Sequence, residues 1–190
     1  MHLEQNRIQA IQIAKAKITG RPLYLDTETT GLGPTDQVVE IAILDPEGDP
    51  LVESLVRPTI NIPPDAVAIH GITDEMVREA PSWPALWPTI SPILKGREVA
   101  IYNAEFDLRL MKQSHQAHQM PWDLQTKDFF CIMQLYAQFY GLWNPSYRSF
   151  RWQSLENAGR QCQIPLPNTH RAKDDTALAR AVLHHMAGSE

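Results

Sequence analysis

Asp26 and Glu28 stand in the run Leu23-Tyr-Leu-Asp-Thr-Glu-Thr-Thr-Gly31, at positions where a central strand would ordinarily carry apolar residues. Side chains two apart on a strand share a face, roughly 6 to 7 Å from one another at about 3.3 Å rise per residue. That span suits carboxylates holding a pair of divalent cations, which lie about 4 Å apart in sites that transfer phosphoryl groups. Without a cation, two like charges on one face of a buried strand repel and resist desolvation. A third acid, Asp107, lies in Tyr102-Asn-Ala-Glu-Phe-Asp-Leu-Arg-Leu110, just past an apolar run and in the first turn of an expected helix. Asn103 is placed to cap that helix, and an acid in its first turn also suits the helix dipole, so Asp107 has a structural explanation of its own. The end of a strand beside the first one is, however, where a mixed sheet presents groups to a ligand.

A fourth acid accompanies a histidine in Thr169-His-Arg-Ala-Lys-Asp-Asp-Thr-Ala-Leu-Ala179. Five helical positions rotate by about 140°, so His170 and Asp175 would not share one helix face. His170 is therefore expected on the loop before the helix, reaching over a site to which Asp175 points from the helix body. Asp174 is the rival acid, and the local pattern does not choose between the two. Two divalent cations bring four positive charges, which Asp26, Glu28, Asp107 and a fourth acid would balance. Hard cations such as Mg²⁺ prefer oxygen ligands, in keeping with the absence of Cys or His clusters. A histidine, which titrates near neutrality, is the natural group to take a proton from an attacking water.

Several elements must hold these groups in place. Leu3, Ile8, Ile11 and Ala14 approach helical spacing and predict an amphipathic helix over 3–17. Strands are expected at 22–28, 37–44 and 51–57, separated by the breakers Gly31-Leu-Gly-Pro34 and Asp45-Pro-Glu-Gly48, and these short connections imply an antiparallel meander. Further strands are expected at 98–103 and 127–131. Helices are expected from Thr73, over 83–95, and over 105–117, 132–141, 153–161 and 171–186. Pro84, Pro88 and Pro92 recur in the second of these, and Pro88 argues for a kink or a late helix start. The sum is an α/β fold, a mixed five-stranded sheet with its first three strands antiparallel, flanked by α-helices.

Glu40, in the second strand, reads either as support for the site or as a solvent-facing acid. His115 and His118 read as a solvated helix face, Trp83 and Trp87 as packing residues, and His184 and His185 as cations suited to a helix C-terminus. Residues 142–152, Leu-Trp-Asn-Pro-Ser-Tyr-Arg-Ser-Phe-Arg-Trp, interleave four aromatic rings with Arg148 and Arg151. Such a segment either stacks single-stranded bases or forms a loop whose aromatics cap the core.

With 190 residues, 43% of them apolar, the chain divides into a helical lead-in over 1–20 and one domain over 21–190. No apolar run approaches the roughly 18 residues of a membrane span, and no secretory leader is read at the start, so a cytoplasmic protein is expected. Cys131 and Cys162 form no C-x-x-C pair and are read as buried thiols. A net charge of −5 speaks against nucleic-acid binding through a broad basic face: either the partner is not a polyanion, or contact is local and metal-assisted.

Asp26-x-Glu28, Asn103-x-x-Phe106-Asp107 and His170-x-x-x-x-Asp175 resemble, in order and spacing, the three motifs of the DnaQ-like 3′-to-5′ exonucleases, the DEDDh subgroup of the ribonuclease H-like superfamily. His70-Gly-Ile-Thr73 resembles a further signature of that family, and the likeness spans about residues 22–186. The resemblance implies that Asp26, Glu28, Asp107 and Asp175 hold two Mg²⁺ or Mn²⁺ ions and that His170 is the general base. It chooses Asp175 over Asp174. It also implies contacts to the 3′-terminal nucleotides from Thr27, Thr29, the wedge side chain Leu32, His70 and Asn103. The implied substrate is nucleic acid with a free 3′ end, single-stranded DNA foremost. The alternatives are an exoribonuclease acting on RNA or short oligoribonucleotides, and a catalytically silent nucleic-acid or polymerase-binding module. Because the chain ends at Glu190, no polymerase-binding tail is expected.

Overall fold

A computed structural model describes residues 2–189; the side chain of Leu3 lies outside what is described. In chain order the elements are α1 (His2–Thr19), β1 (Leu23–Thr29), β2 (Val38–Leu44), β3 (Pro50–Leu55), α2 (Pro64–His70), α3 (Asp74–Val77) and α4 (Trp83–Leu94). They continue with β4 (Glu98–Ile101), α5 (Ala104–Ala117), β5 (Asp128–Cys131), α6 (Ile132–Tyr140), β6 (Trp143–Asn144), β7 (Ser149–Phe150), α7 (Leu155–Gln161) and α8 (Ala172–Gly188). The main sheet has the order β3-β2-β1-β4-β5, antiparallel from β3 to β1 and parallel from β1 to β5. This is the mixed five-stranded sheet flanked by helices that the strand spacing implies.

The alternation of β1 assigns its side chains to two layers. Leu23 and Leu25 join Ile41, Ile43, Val99 and Ile101 beneath Trp83, Trp87, Ile90 and Leu94 of α4 and Leu110 and Met111 of α5. Tyr24 faces the other way, with Ala10, Ile11 and Ala14 of α1, Tyr136 and Phe139 of α6, and Val182 and Leu183 of α8. By that alternation Asp26 and Glu28 share the face of Tyr24, toward α8. They are the half-buried positions of an otherwise buried strand. β2 is buried along its whole length, as a strand covered on both faces must be.

Four expectations need correction. Ile8 is 48% exposed, and the buried stripe of α1 runs through Ala10, Ile11 and Ala14 instead. α4 does not start late: it begins at Trp83 and runs on through Pro88. The residues it buries are Trp83, Trp87, Ile90 and Leu94, while Pro88 and Pro92 lie exposed, where carbonyls left without a partner can be solvated. His115 is not on a solvated face: Trp83, Trp87 and Trp122 surround it, and Trp83 Nε1 donates to its Nδ1 at 2.9 Å. Burial accordingly lowers its pKa. Cys131 is only half-buried, whereas Cys162 is buried. Three elements have no counterpart among the sequence-based expectations: α2 and the two short strands of the β6–β7 hairpin.

Among the described residues, no helix is long and apolar enough to cross a membrane.

Candidate active site

β1 and β4 pair from Leu23 with Val99 to Leu25 with Ile101. β4 then gives way to α5, which opens a gap beside the last residues of β1. Asp107, buried in the first turn of α5, fills it. Its Oδ1 accepts from Thr27 N at 3.0 Å and from Thr27 Oγ1 at 2.8 Å. Asn103 occupies the N-cap position, but its side chain makes no capping hydrogen bond. Thr27 thus does for Asp107 what the sequence assigned to a helix terminus: it fixes the carboxylate by two hydrogen bonds.

α8 supplies the opposite wall. His170 precedes it in a left-handed conformation, φ 53°, sparsely populated for a residue with a Cβ, and its ring is exposed. Asp175 is buried, and its Oδ1 accepts from Thr169 N at 3.1 Å. Asp174 instead accepts from Thr169 Oγ1 at 2.7 Å, which ties the loop to the helix on its exposed side. The two neighbouring acids thereby divide their work between the cleft and the loop. His170 Nδ1 lies 4.0 Å from Asp175 Oδ2, too long for a hydrogen bond.

One cleft is lined by Asp26, Glu28, Asn103, Asp107, His170 and Asp175, together with Tyr102 and Ser154. A second hollow adjoins it across Thr27, Glu28 and Phe106 and is lined by Thr29, Leu32, Ile69 and His70. Leu32 projects there, 77% exposed, from a loop that is firmly held. Asp36 accepts from Thr30 Oγ1 and Gly33 N, and Gln113 Nε2 donates to Gly33 O at 2.9 Å. A Cβ at Gly31 would sit 2.7 Å from Asp36 Oδ2, so this tight turn requires glycine. His70 lines the hollow with both ring nitrogens engaged. Nδ1 accepts from Ile72 N at 2.9 Å, which leaves Nε2–H to donate to Thr29 O at 3.2 Å. Burial lowers its pKa, in keeping with a neutral ring that braces the end of β1.

The electrostatics carry the signature of an uncompensated acidic cluster. Burial, then Asp107, Glu28 and Asp175, hold Asp26 well above the usual carboxylate range. Burial pushes Glu28 up to about 8, with Asp175, Glu40 and Asp107 adding to it. Burial pushes Asp107 up to about 7 against the hydrogen bonds of Thr27. Asp175 is raised by burial too, against the Thr169 N–H. The donor set fits a hard divalent cation: oxygen-rich, over-negative, with donor atoms of Glu28, His170 and Asp175 all within 4.8 Å of one another.

Glu40 and Arg171 complete the surroundings. Glu40 pairs in register with Glu28 across β1 and β2, and it is buried. Both its oxygens accept from Arg171 Nε, at 3.2 and 3.1 Å, and Oε2 also accepts from Ala172 N at 2.9 Å. Glu40 therefore supports the site, and is not solvent-facing. Arg171, between His170 and the helix, was missed in the sequence; an acid in the apolar run Val38–Leu44 was the available hint, since a buried carboxylate needs a cationic partner. Arg171→Ala is expected to destabilise the protein by on the order of 2 kcal/mol, less than a fully buried pair because the guanidinium is partly exposed. It should lower turnover as well, because α8 loses the anchor beside His170. Thermal unfolding and kcat measure the two effects; an unchanged melting temperature would sink the anchoring role.

Residues 23–183 match the model of the RNase T family, described as exonuclease. The chain is 33% identical over 182 residues to the uncharacterized exonuclease CP81 of Escherichia phage 186, covering 93% of each chain. It is 30% identical over 158 residues to the DNA polymerase III subunit epsilon of Treponema pallidum (strain Nichols), covering 80% of this chain and 70% of that protein. A solved structure of exonuclease X in complex with 5′-overhanging duplex DNA superposes with a TM-score of 0.61 at 26% identity, covering 88% of this chain and 92% of that one.

Proposed function

The chain belongs to the RNase T exonuclease family, and from that membership we propose a 3′-to-5′ exonuclease that releases nucleoside 5′-monophosphates from single-stranded DNA. The observation that carries this reading is the convergence of Asp26, Glu28, Asp107, Asp175 and His170 on one cleft from two layers of the fold. Asp26, Glu28, Asp107 and Asp175 would hold two Mg²⁺ or Mn²⁺ ions. When bound, these supply Lewis acidity and positive charge for the phosphate undergoing attack.

The chain's own groups do the rest. His170, exposed at the rim with its ring over the cleft, accepts the proton of the attacking water through a ring nitrogen. Asp175, buried beneath it, favours the imidazolium that results. Thr27 holds Asp107 by two hydrogen bonds, so this carboxylate does not swing as charge moves between the acids. The pinned, exposed Leu32 wedges beside the terminal base, and the backbone around Thr27 to Thr29 and Asn103 contact the 3′-terminal nucleotides. His70 contributes by bracing Thr29 and by the ring face it turns to the hollow.

One reaction tests the proposal: single-stranded DNA, duplex DNA with a mismatched 3′ end and short RNA, each labelled at the 5′ end and, in parallel, at the 3′-terminal nucleotide, with Mg²⁺. Stepwise shortening from the 3′ end with mononucleotide products, fastest on single-stranded DNA, is expected. Internal fragments without a mononucleotide would refute exonuclease action, and faster loss of the RNA would reassign the substrate.

A further inference from the structure

The acid cleft does not use the one segment in which aromatic and cationic groups are interleaved, Leu142 to Trp152. In the structure it is a β-hairpin, Trp143 opposite Phe150 and Asn144 opposite Ser149, closed by Arg151 N donating to Leu142 O at 2.8 Å. Its aromatics do not cap the core. Tyr147 is 80% and Trp152 64% exposed, and none of the four hairpin rings belongs to a buried cluster. Trp143 and Phe150 pack edge-to-face on each other, with centroids 5.2 Å apart, and so stiffen the hairpin from within. Tyr147, Phe150, Arg151 and Trp152 line a shared hollow.

Two further observations orient this surface. From Phe129 to Leu155 the sequence holds no Asp or Glu, although the whole chain carries −5, and Arg148 and Arg151 both lie in the hairpin. The ion pairs of the described residues all lie elsewhere. The hairpin is also continuous with the cleft. Tyr102 Oη donates to Gln153 O at 3.1 Å, and Tyr102 and Ser154 line the acid cleft just beyond Trp152.

We propose that the β6–β7 hairpin is a stacking platform for single-stranded DNA upstream of the 3′ terminus, bases resting on Tyr147 and Trp152 and phosphates on Arg148 and Arg151. The proposal rests on the exonuclease reading above and names where that substrate runs. An exposed indole and phenol offer faces to any base, which suits an enzyme that must pass every sequence. The guanidiniums supply the local positive charge that the rest of this acidic surface withholds. The platform also sets a length preference, since a strand too short to reach it gains nothing from it.

The test compares the full chain with Tyr147→Ala/Trp152→Ala and with Arg148→Ala/Arg151→Ala, on a long oligodeoxynucleotide and on a dinucleotide that reaches the cleft alone. On the long strand the aromatic variant is expected to raise KM by about tenfold or more. The arginine variant should flatten the dependence of log KM on log salt by about 1.4, at ~0.7 for each phosphate no longer neutralised. Dinucleotide hydrolysis and the melting temperature should not change. Unchanged KM on the long strand overturns the proposal, as does an equal loss on the dinucleotide, which would place the effect in the cleft or the fold. A KM shift confined to an oligoribonucleotide, or a dimer that dissociates in the aromatic variant, overturns it in favour of RNA or a second copy. If the unaltered chain hydrolysed neither substrate, the exonuclease reading would fail on its own. Quenching of tryptophan fluorescence by the oligodeoxynucleotide would then judge the platform, supporting it if lost in the aromatic variant and overturning it if retained.

Discussion

Asp26→Asn and His170→Ala are each expected to reduce mononucleotide release by about a thousandfold or more, while Asp174→Asn costs less than about tenfold. The contrast follows from the geometry. Asp26 projects from the half-buried face of β1 into a cleft shared with Glu28, Asp107 and Asp175, so the amide removes the charge of a proposed metal ligand with almost no change of shape. His170 sits outside α8 and lines the cleft, and its truncation removes the proposed proton acceptor without touching the core. Asp174 makes an exposed hydrogen bond to Thr169 and does not line the acid cleft. Initial rates on a 5′-labelled strand, with circular dichroism to check the fold, decide the matter. Comparable losses at Asp174 and Asp175 would remove the distinction between them.

Removing divalent cations is expected to lower the melting temperature by about 5 to 10 °C. A cation present at about a hundred times its dissociation constant stabilises the folded state by roughly 2.7 kcal/mol, and a protein of this size gains about 2 to 4 °C per kcal/mol. The same crowding predicts a pH dependence. Glu28, pushed up to about 8, and Asp107, to about 7, take up protons more readily in the folded chain than in the unfolded one. Their contribution is therefore complete below the ordinary carboxylate range and lost as pH rises through 7 to 8. In chelator, stability should fall from the ordinary carboxylate range up to about pH 8, and Asp26→Asn should both raise the metal-free melting temperature and abolish the gain on adding Mg²⁺. Calorimetry across pH, with and without chelator, measures all three. A chelated protein whose stability rose steadily from pH 5 to pH 8 would contradict this linkage.

The strands were legible because their signals are local. Apolar alternation and Gly- or Pro-bearing turns located β1, β2 and β3, and two acids in one strand advertised a charge that something must neutralise. Elements whose cause is tertiary were not legible in this way. α2 ends on His70, whose role depends on reaching Thr29 on another element. His115 has the composition of a surface residue and lies in the core because α4 brings Trp83 and Trp87 against it. The 142–152 segment admits two readings in the sequence, since burial is a property of the folded surroundings.

By itself the sequence determined the acids, their order and the strand on which the first two stand, because a period of two and a fixed spacing suffice for that. His170 on a loop and Asp175 on the helix after it likewise follow from 3.6 residues per turn. Only the tertiary structure decided that Asp107 approaches β1 from the layer opposite Asp175, through the gap left where β4 ends, and that Thr27 holds it there. Only the tertiary structure joined Arg171 to Glu40 across 131 positions of chain. Hydrogen bonds and charge act over a few ångströms of space, whatever the distance along the sequence, so the pairings that steady this site come into being only with the fold.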